Sequence, residues 1–288
     1  MKPSEPGFNC RRCRPLLGTF FEISLASTLH TESDLHALAD RAFLEVERLC
    51  GIFSYHDPES ELSALNRLPV GETRHLSPEM NEVLSLALEL QTQTEGRFNV
   101  AIADFLVAWK CLPGQVLPLS WEDSQTPAFE IQNGVFRKRH RARIDLGGIA
   151  KGSIVDRCVA LMIGANGSIN SCINGSINAG GDLRVFGERQ DAWIRSGPSE
   201  ASVLHPISLQ NQAIATSTVQ PLPQEGSPYV DLKTRSSLDR IQTCTAIADC
   251  CNLADAFTKI ALLAPDSILQ PLCERYGVRV LESPRIES

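Results

Sequence analysis

In Asp145-Leu146-Gly147-Gly148-Ile149-Ala150-Lys151-Gly152 a carboxylate, two glycines and a lysine fall where an apolar run gives way to a helical one. Residues 143–146 read as the end of a strand, and apolar positions from 149 to 163 recur at helical spacing. Glycine lets a ligand come close to the backbone. A helix start offers unpaired N–H groups and the positive end of the helix dipole, a setting that suits phosphate, and Lys151 adds a cation. The same residues also suit a tight turn without a ligand. The spacing is neither GxGxxG nor GxxxxGK[ST], so neither standard phosphate loop applies.

On either side of this stretch, strands and helices alternate without a regular period. Residues 17–25 read as a strand, 35–49 as an amphipathic helix after Ser33 and Asp34 as caps, and 78–90 as a buried helix behind Ser77-Pro78, ended by Gly96. Residues 112–140, with three prolines, read as loops with short strands. Strands are expected near 171–179, 182–186 and 192–195, a polar, proline-rich loop at 221–237, a helix at 252–263, and a last helix and strand at 267–281. That order predicts an α+β fold of mixed sheets with packed helices, one domain over 1–288, and a flexible N-terminal arm over 1–15.

Composition excludes some partners. With 43% hydrophobic and 21% charged residues the chain can bury a sizeable core. A net charge of -7 argues against nucleic acid or an anionic membrane surface, and no run approaches the ~20 apolar residues of a transmembrane helix. Ten scattered cysteines suggest free thiols in a reducing compartment. The first residues contain no apolar export signal, so the sequence as it stands reads as cytoplasmic; a periplasmic or membrane-anchored site is expected only if a leader is missing from it. Cys10-Arg11-Arg12-Cys13 has CxxC spacing but no second ligand pair for zinc, and is read as incidental.

Two further constellations have both a structural and a functional reading. Asn178-Ala179-Gly180-Gly181-Asp182 suits either a hairpin turn or a close approach to a ligand. In Ala254-Asp255-Ala256-Phe257-Thr258-Lys259, Asp255 and Lys259 lie one helical turn apart, as an ion pair would; Asp255 with the Thr258 hydroxyl also suits a hard cation. None of the six histidines shares a motif with a serine or cysteine nucleophile, so no catalytic residue is assigned.

Taken in order, these segments resemble the ApbE family of FAD:protein FMN transferases. Leu17-Gly18-Thr19-Phe20 resembles its opening MGTF strand, and Phe53-Ser54-Tyr55 with Ser60, Leu62 and Asn66 its S-x-Y…S-x-L…N segment. Residues 95–100 with Leu106-Val107-Ala108-Trp109 resemble GAFD…LVxLW. Asp145 to Gly152 matches DLGGIAKG and Asn178 to Asp182 matches NAGGD; Ala215-Thr216-Ser217 resembles ATSG, and 254–259 resembles ADALTK.

The resemblance implies transfer of FMN from FAD to a threonine or serine of an acceptor flavoprotein in a redox complex, with release of AMP and dependence on Mg2+. It puts Leu17, Tyr55, Arg97, Phe98, Asn99, Asp145, Lys151 and Val230 at FAD-contacting positions. It assigns Mg2+ to the Gly148 carbonyl, Asp255, Thr258 and Lys259. The chain departs from the family in having Lys259 where threonine is usual and Pro228 at the position of a loop histidine. These departures imply the alternative of a catalytically impaired FAD-binding relative, a flavin carrier or regulator.

Overall fold

A computed structural model describes residues 8–118, 126–164, 173–195, 204–220 and 227–282. Along the chain run β1 (Phe8–Leu16), β2 (Thr19–Ser27), α1 (Glu32–Phe53), α2 (Glu61–Arg67), β3 (Thr73–His75), α3 (Pro78–Gln93) and α4 (Ala103–Ala108). Next come β4 (Phe129–Gln132), β5 (Val135–Lys138), α5 (Ala150–Ile163), β6 (Ile173–Ala179), β7 (Asp182–Phe186), β8 (Gln190–Arg195) and β9 (Leu204–Leu209). The chain continues through β10 (Ala213–Val219), β11 (Val230–Asp231), β12 (Ser236–Ser237), β13 (Gln242–Ala248), α6 (Cys251–Leu263), α7 (Asp266–Tyr276) and β14 (Arg279–Glu282).

The central sheet has seven strands in the order β1-β2-β6-β7-β10-β13-β14, and every neighbouring pair in it is antiparallel. Helices α1, α5 and α6 pack on it, giving the expected α+β class. The largest apolar cluster draws on residues from Cys10 to Val278. Asp156 of α5 ties α5 to α6: its carboxylate accepts from the Cys251 and Asn252 amides at 2.8 and 2.9 Å, capping α6 from outside, and Arg184 of β7 holds it at 2.5 Å. Where α5 crosses α6, Gly152 leaves no room for a side chain; a Cβ there would lie 2.3 Å from the Cys251 carbonyl oxygen.

Several sequence expectations are corrected. The flexible arm expected over 1–15 is, from residue 8, the edge strand β1, while 1–7 lie outside the described residues. β1 pairs with β2 along its whole length, and Arg12 and Arg14 reach Asp40 at 2.9 and 3.1 Å while lying over the Phe43 ring. Alternation along β1 buries Cys10 and exposes Cys13, so this CxxC cannot close on a metal or a disulfide. The expected strand at 17–25 is shifted to β2, and Leu17-Gly18 forms its two-residue hairpin turn, with φ +56° and +69°.

The cap of α1 is Thr31, with Asp34 closing the capping box from inside the helix, rather than Ser33 or Asp34. Residues 143–146, expected to end a strand, belong to no strand or sheet. Asn66 holds Ile144 by two hydrogen bonds of 2.7 and 2.9 Å, and Asp145 N donates to Val100 O at 2.8 Å, so their backbone partners are loop and side-chain atoms. Within the loop expected at 112–140, β4 and β5 form with β3 a small antiparallel sheet; within that at 221–237, β11 and β12 pair, and 221–226 lie outside the described residues, as do 171 and 172 of the expected strand at 171–179. The sequence reading missed β3, β9, β10 and β13. Among the described residues no helix is long and apolar enough to cross a membrane, and no cysteine is bridged.

Candidate active site

The Asp145–Gly152 stretch borders a cavity of about 390 Å³, within the range usual for small-molecule sites. Asp145, Gly147, Gly148 and Lys151 line it, with Arg97, Phe98 and Asn99 from the turn after α3, Val230 from β11 and Lys259 from α6. The sheet contributes Thr216, Ser217 and Thr218 of β10. Ile102, Leu106, Cys111, Leu112 and Val230 make one wall apolar, backed by Phe105 and Trp109.

Local structure explains these placements. Asp145 accepts from the Gly147 amide at 3.0 Å, turning the chain sharply before α5. α5 then begins after Ile149, which has no capping side chain; the Ala150 amide donates to Leu146 O at 2.8 Å, and the Gly152 amide is capped from outside by a carboxylate of α6, Asp255. Thr94 ends α3 and accepts from the Phe98 amide at 2.9 Å, while Asn99 accepts from the Ala101 amide at 2.8 Å, so residues 97–99 are held in a fixed turn.

A charged cluster lies beneath the opening. Lys151 Nζ lies 2.8 Å from Asp182 Oδ2, so that buried oxygen has a counter-charge beside it. Asp255, fully buried on α6, accepts from the Gly152 amide at 3.3 Å and pairs with Lys259 one turn on. Burial and the neighbouring Asp255 charge push the Asp182 carboxyl up to about 6, against the pull of Lys151 and Lys259. Burial works to lower both lysines, but the two carboxylates outweigh it and raise them, so both carry charge at neutral pH. Burial also raises Asp145, offset in part by the Gly147 amide, His56 and Lys259.

The structure brings together Arg97, Phe98, Asn99, Asp145, Gly148, Lys151, Val230 and Lys259 of the sequence-derived positions. Leu17 does not line the cavity; it sits in the β1–β2 turn, where the neighbouring Thr19 meets Gly180. Tyr55 stands behind the lining, its ring 6.0 Å from that of His56, which does face the cavity. His56, Tyr229 and the β10 residues Thr216 and Thr218 were missed. The one available signal for His56 was its place beside Tyr55.

The positions assigned to Mg2+ do not form a cage for it. Thr258 donates its hydroxyl hydrogen to the Asp255 carbonyl at 2.7 Å and lies 2.7 Å from Ser217 Oγ. Lys259 Nζ occupies Asp255 Oδ1, and its stem runs past Gly148, 3.6–3.8 Å from where a Cβ on that glycine would stand. An ammonium donates and cannot ligate a cation.

The sequence profile of the ApbE family matches residues 17–281. The FAD:protein FMN transferase of Chlamydia pneumoniae is 28% identical over 267 residues, 84% of this chain and 81% of its own. The flavin transferase ApbE from Vibrio cholerae superposes with a TM-score of 0.80 at 21% identity, covering 96% of this chain and 94% of its own. The ApbE protein from Thermotoga maritima gives 0.77 at 20% identity, covering 98% and 97%. At these identities the solved structures speak for the fold, and the profile for the family. With its family profile matched across most of its length, and with the glycine turn, the paired lysines and the apolar wall gathered in one cavity, the chain belongs to the ApbE family.

Proposed function

We propose that the protein transfers FMN from FAD to a serine or threonine hydroxyl of an acceptor flavoprotein, a subunit of a redox complex, and releases AMP. The observation that carries this reading is the convergence of Lys151 and Lys259 on a cavity with one apolar wall. A dinucleotide needs both: positive charge for its diphosphate and a flat apolar surface for a ring.

In this reading the diphosphate lies over Gly147-Gly148, opposed by the two ammonium groups and the helix dipole. The flavin lies against Ile102, Leu106, Leu112 and Val230, with Arg97, Phe98 and Asn99 at its edge. The acceptor oxygen attacks the FMN phosphorus as the bond from that phosphorus to the bridging oxygen breaks, and AMP leaves with the electron pair. Charge gathers on the phosphoryl oxygens, where the two lysines act. The hydroxyl proton needs an acceptor, and the cavity offers Asp145 and His56; Pro228, also in the lining, offers none. The scattered free thiols support a reducing, cytoplasmic setting.

Incubation with FAD and a candidate acceptor, with and without Mg2+, tests the proposal by mass spectrometry. AMP release together with an FMN ester on the acceptor is expected. A second reading, an FAD-binding relative without turnover, is favoured by Lys259 on Asp255 and by Pro228. Tight FAD binding with no AMP from any acceptor would select it.

A further inference from the structure

The carboxylates under the cavity floor are both taken by ammonium groups of the same chain. Asp182 has Lys151, and Asp255 has Lys259 on one oxygen and the Gly152 amide on the other. Two negative and two positive side chains leave the cluster neutral. Hard divalent cations are held by cages of oxygen ligands with net negative charge. The remaining hydroxyls are also engaged, Thr258 with the Asp255 carbonyl and Ser217 with Thr258. The gap between Gly148 and Asp255 is filled by the Lys259 stem.

We propose that Lys259 is a built-in cation: it excludes a divalent metal from the gap between Gly148 and Asp255 and itself supplies the positive charge that faces the diphosphate. The ammonium is carried on a rigid buried helix and fixed by a buried carboxylate, so the charge is in place before the ligand arrives. Lys151 adds a second charge at the start of α5. Diphosphate binding at this site is then independent of metal. This inference rests on the FAD reading for its ligand, but not for its claim about the metal.

Two measurements on the full chain, stripped with EDTA, test it. The first is Mn2+ titration followed by electron paramagnetic resonance, which needs no flavin. Wild-type protein is expected to bind no Mn2+ up to ~1 mM, and Lys259→Thr to bind one ion below that. The second is calorimetric titration with FAD in EDTA and in Mg2+. Wild-type affinity is expected to agree within about twofold, and Lys259→Thr to be roughly tenfold weaker in EDTA and to recover with Mg2+.

Wild-type Mn2+ binding at this site, tenfold tighter wild-type FAD binding with Mg2+, or a folded Lys259→Thr that takes no Mn2+ would each overturn the inference. If Lys259→Thr does not fold, the wild-type results alone decide. If wild-type protein binds no FAD in either buffer, the proposed function fails, and the Mn2+ measurement still decides the claim about Lys259.

Discussion

The chain has two glycine pairs with an aspartate nearby, Gly147-Gly148 and Gly180-Gly181, and it uses them differently. The first has no left-handed residue, leads into α5 and faces the cavity. The second is the two-residue turn between β6 and β7, with φ +64° and +106°, and Thr19 packs so tightly on it that a Cβ on Gly180 would lie 2.3 Å from Thr19 Oγ1. At the first pair a Cβ on Gly148 would meet only the Lys259 stem at ordinary contact distance; at the second, the left-handed backbone and the Thr19 side chain both act against any side chain. Their aspartates differ too. Asp145 shapes its own turn, whereas Asp182 points inward to Lys151.

The largest effect is expected just past the first pair. Gly152→Ala would drive a methyl into the Cys251 backbone and force α5 from α6, at a cost of about 3 kcal/mol in urea unfolding. Gly180→Ala should cost roughly 1–2 kcal/mol from its left-handed backbone alone, with FAD affinity nearly unchanged. Gly148→Ala should do the reverse. Its methyl meets only the Lys259 stem at ordinary contact distance, so stability should stay within ~0.5 kcal/mol. FAD affinity measured by calorimetry should fall roughly tenfold, ~1.4 kcal/mol. If the two alanine variants exchanged these phenotypes, the contrast between the pairs would be wrong.

The smallest effect concerns pH. Asp182 has a folded-state pKa of about 6, above that of an unfolded aspartate at about 3.9. The native state therefore holds more protons between those values, and this group's contribution to stability is largest below pH ~4 and declines as pH rises through about 6. Asp182→Asn should flatten that part of the stability profile, as read from unfolding midpoints across pH 4 to 7. An unchanged profile would mean that the inward-facing aspartate is not titrating there.

The legibility of the fold followed burial pattern. α1 was readable from its one apolar side though not from its cap, and α3 from its Ser77-Pro78 start, although it buries one side, from Met80 to Gln91, rather than several. β13, Gln-Thr-Cys-Thr-Ala-Ile-Ala, is buried at every residue and so shows no alternation. β9 contains Pro206, which argues against a strand until its pairing with Trp193 in an isolated two-stranded ribbon is known. β1 looked like a basic arm because its arginines are stabilised by Asp40 and the Phe43 ring, which come from a helix elsewhere in the sequence.

The sequence by itself determined the α+β class, the family resemblance and the glycine turn before α5, because these depend on local backbone preference and on motif order. Only the tertiary structure decided which motif residues share a cavity. It moved Leu17 into a hairpin turn, put Tyr55 behind His56, and added Thr216 and Thr218 from a strand the sequence did not reveal. It also showed Asp255 and Lys259 as an ion pair. Helical spacing allowed either an ion pair or a cation site; the pair rests on Gly148 and Gly152, more than a hundred residues away, whose missing side chains leave room for the Lys259 stem and bring an amide to Asp255. Spacing within one helix cannot encode that, because the space it depends on belongs to another.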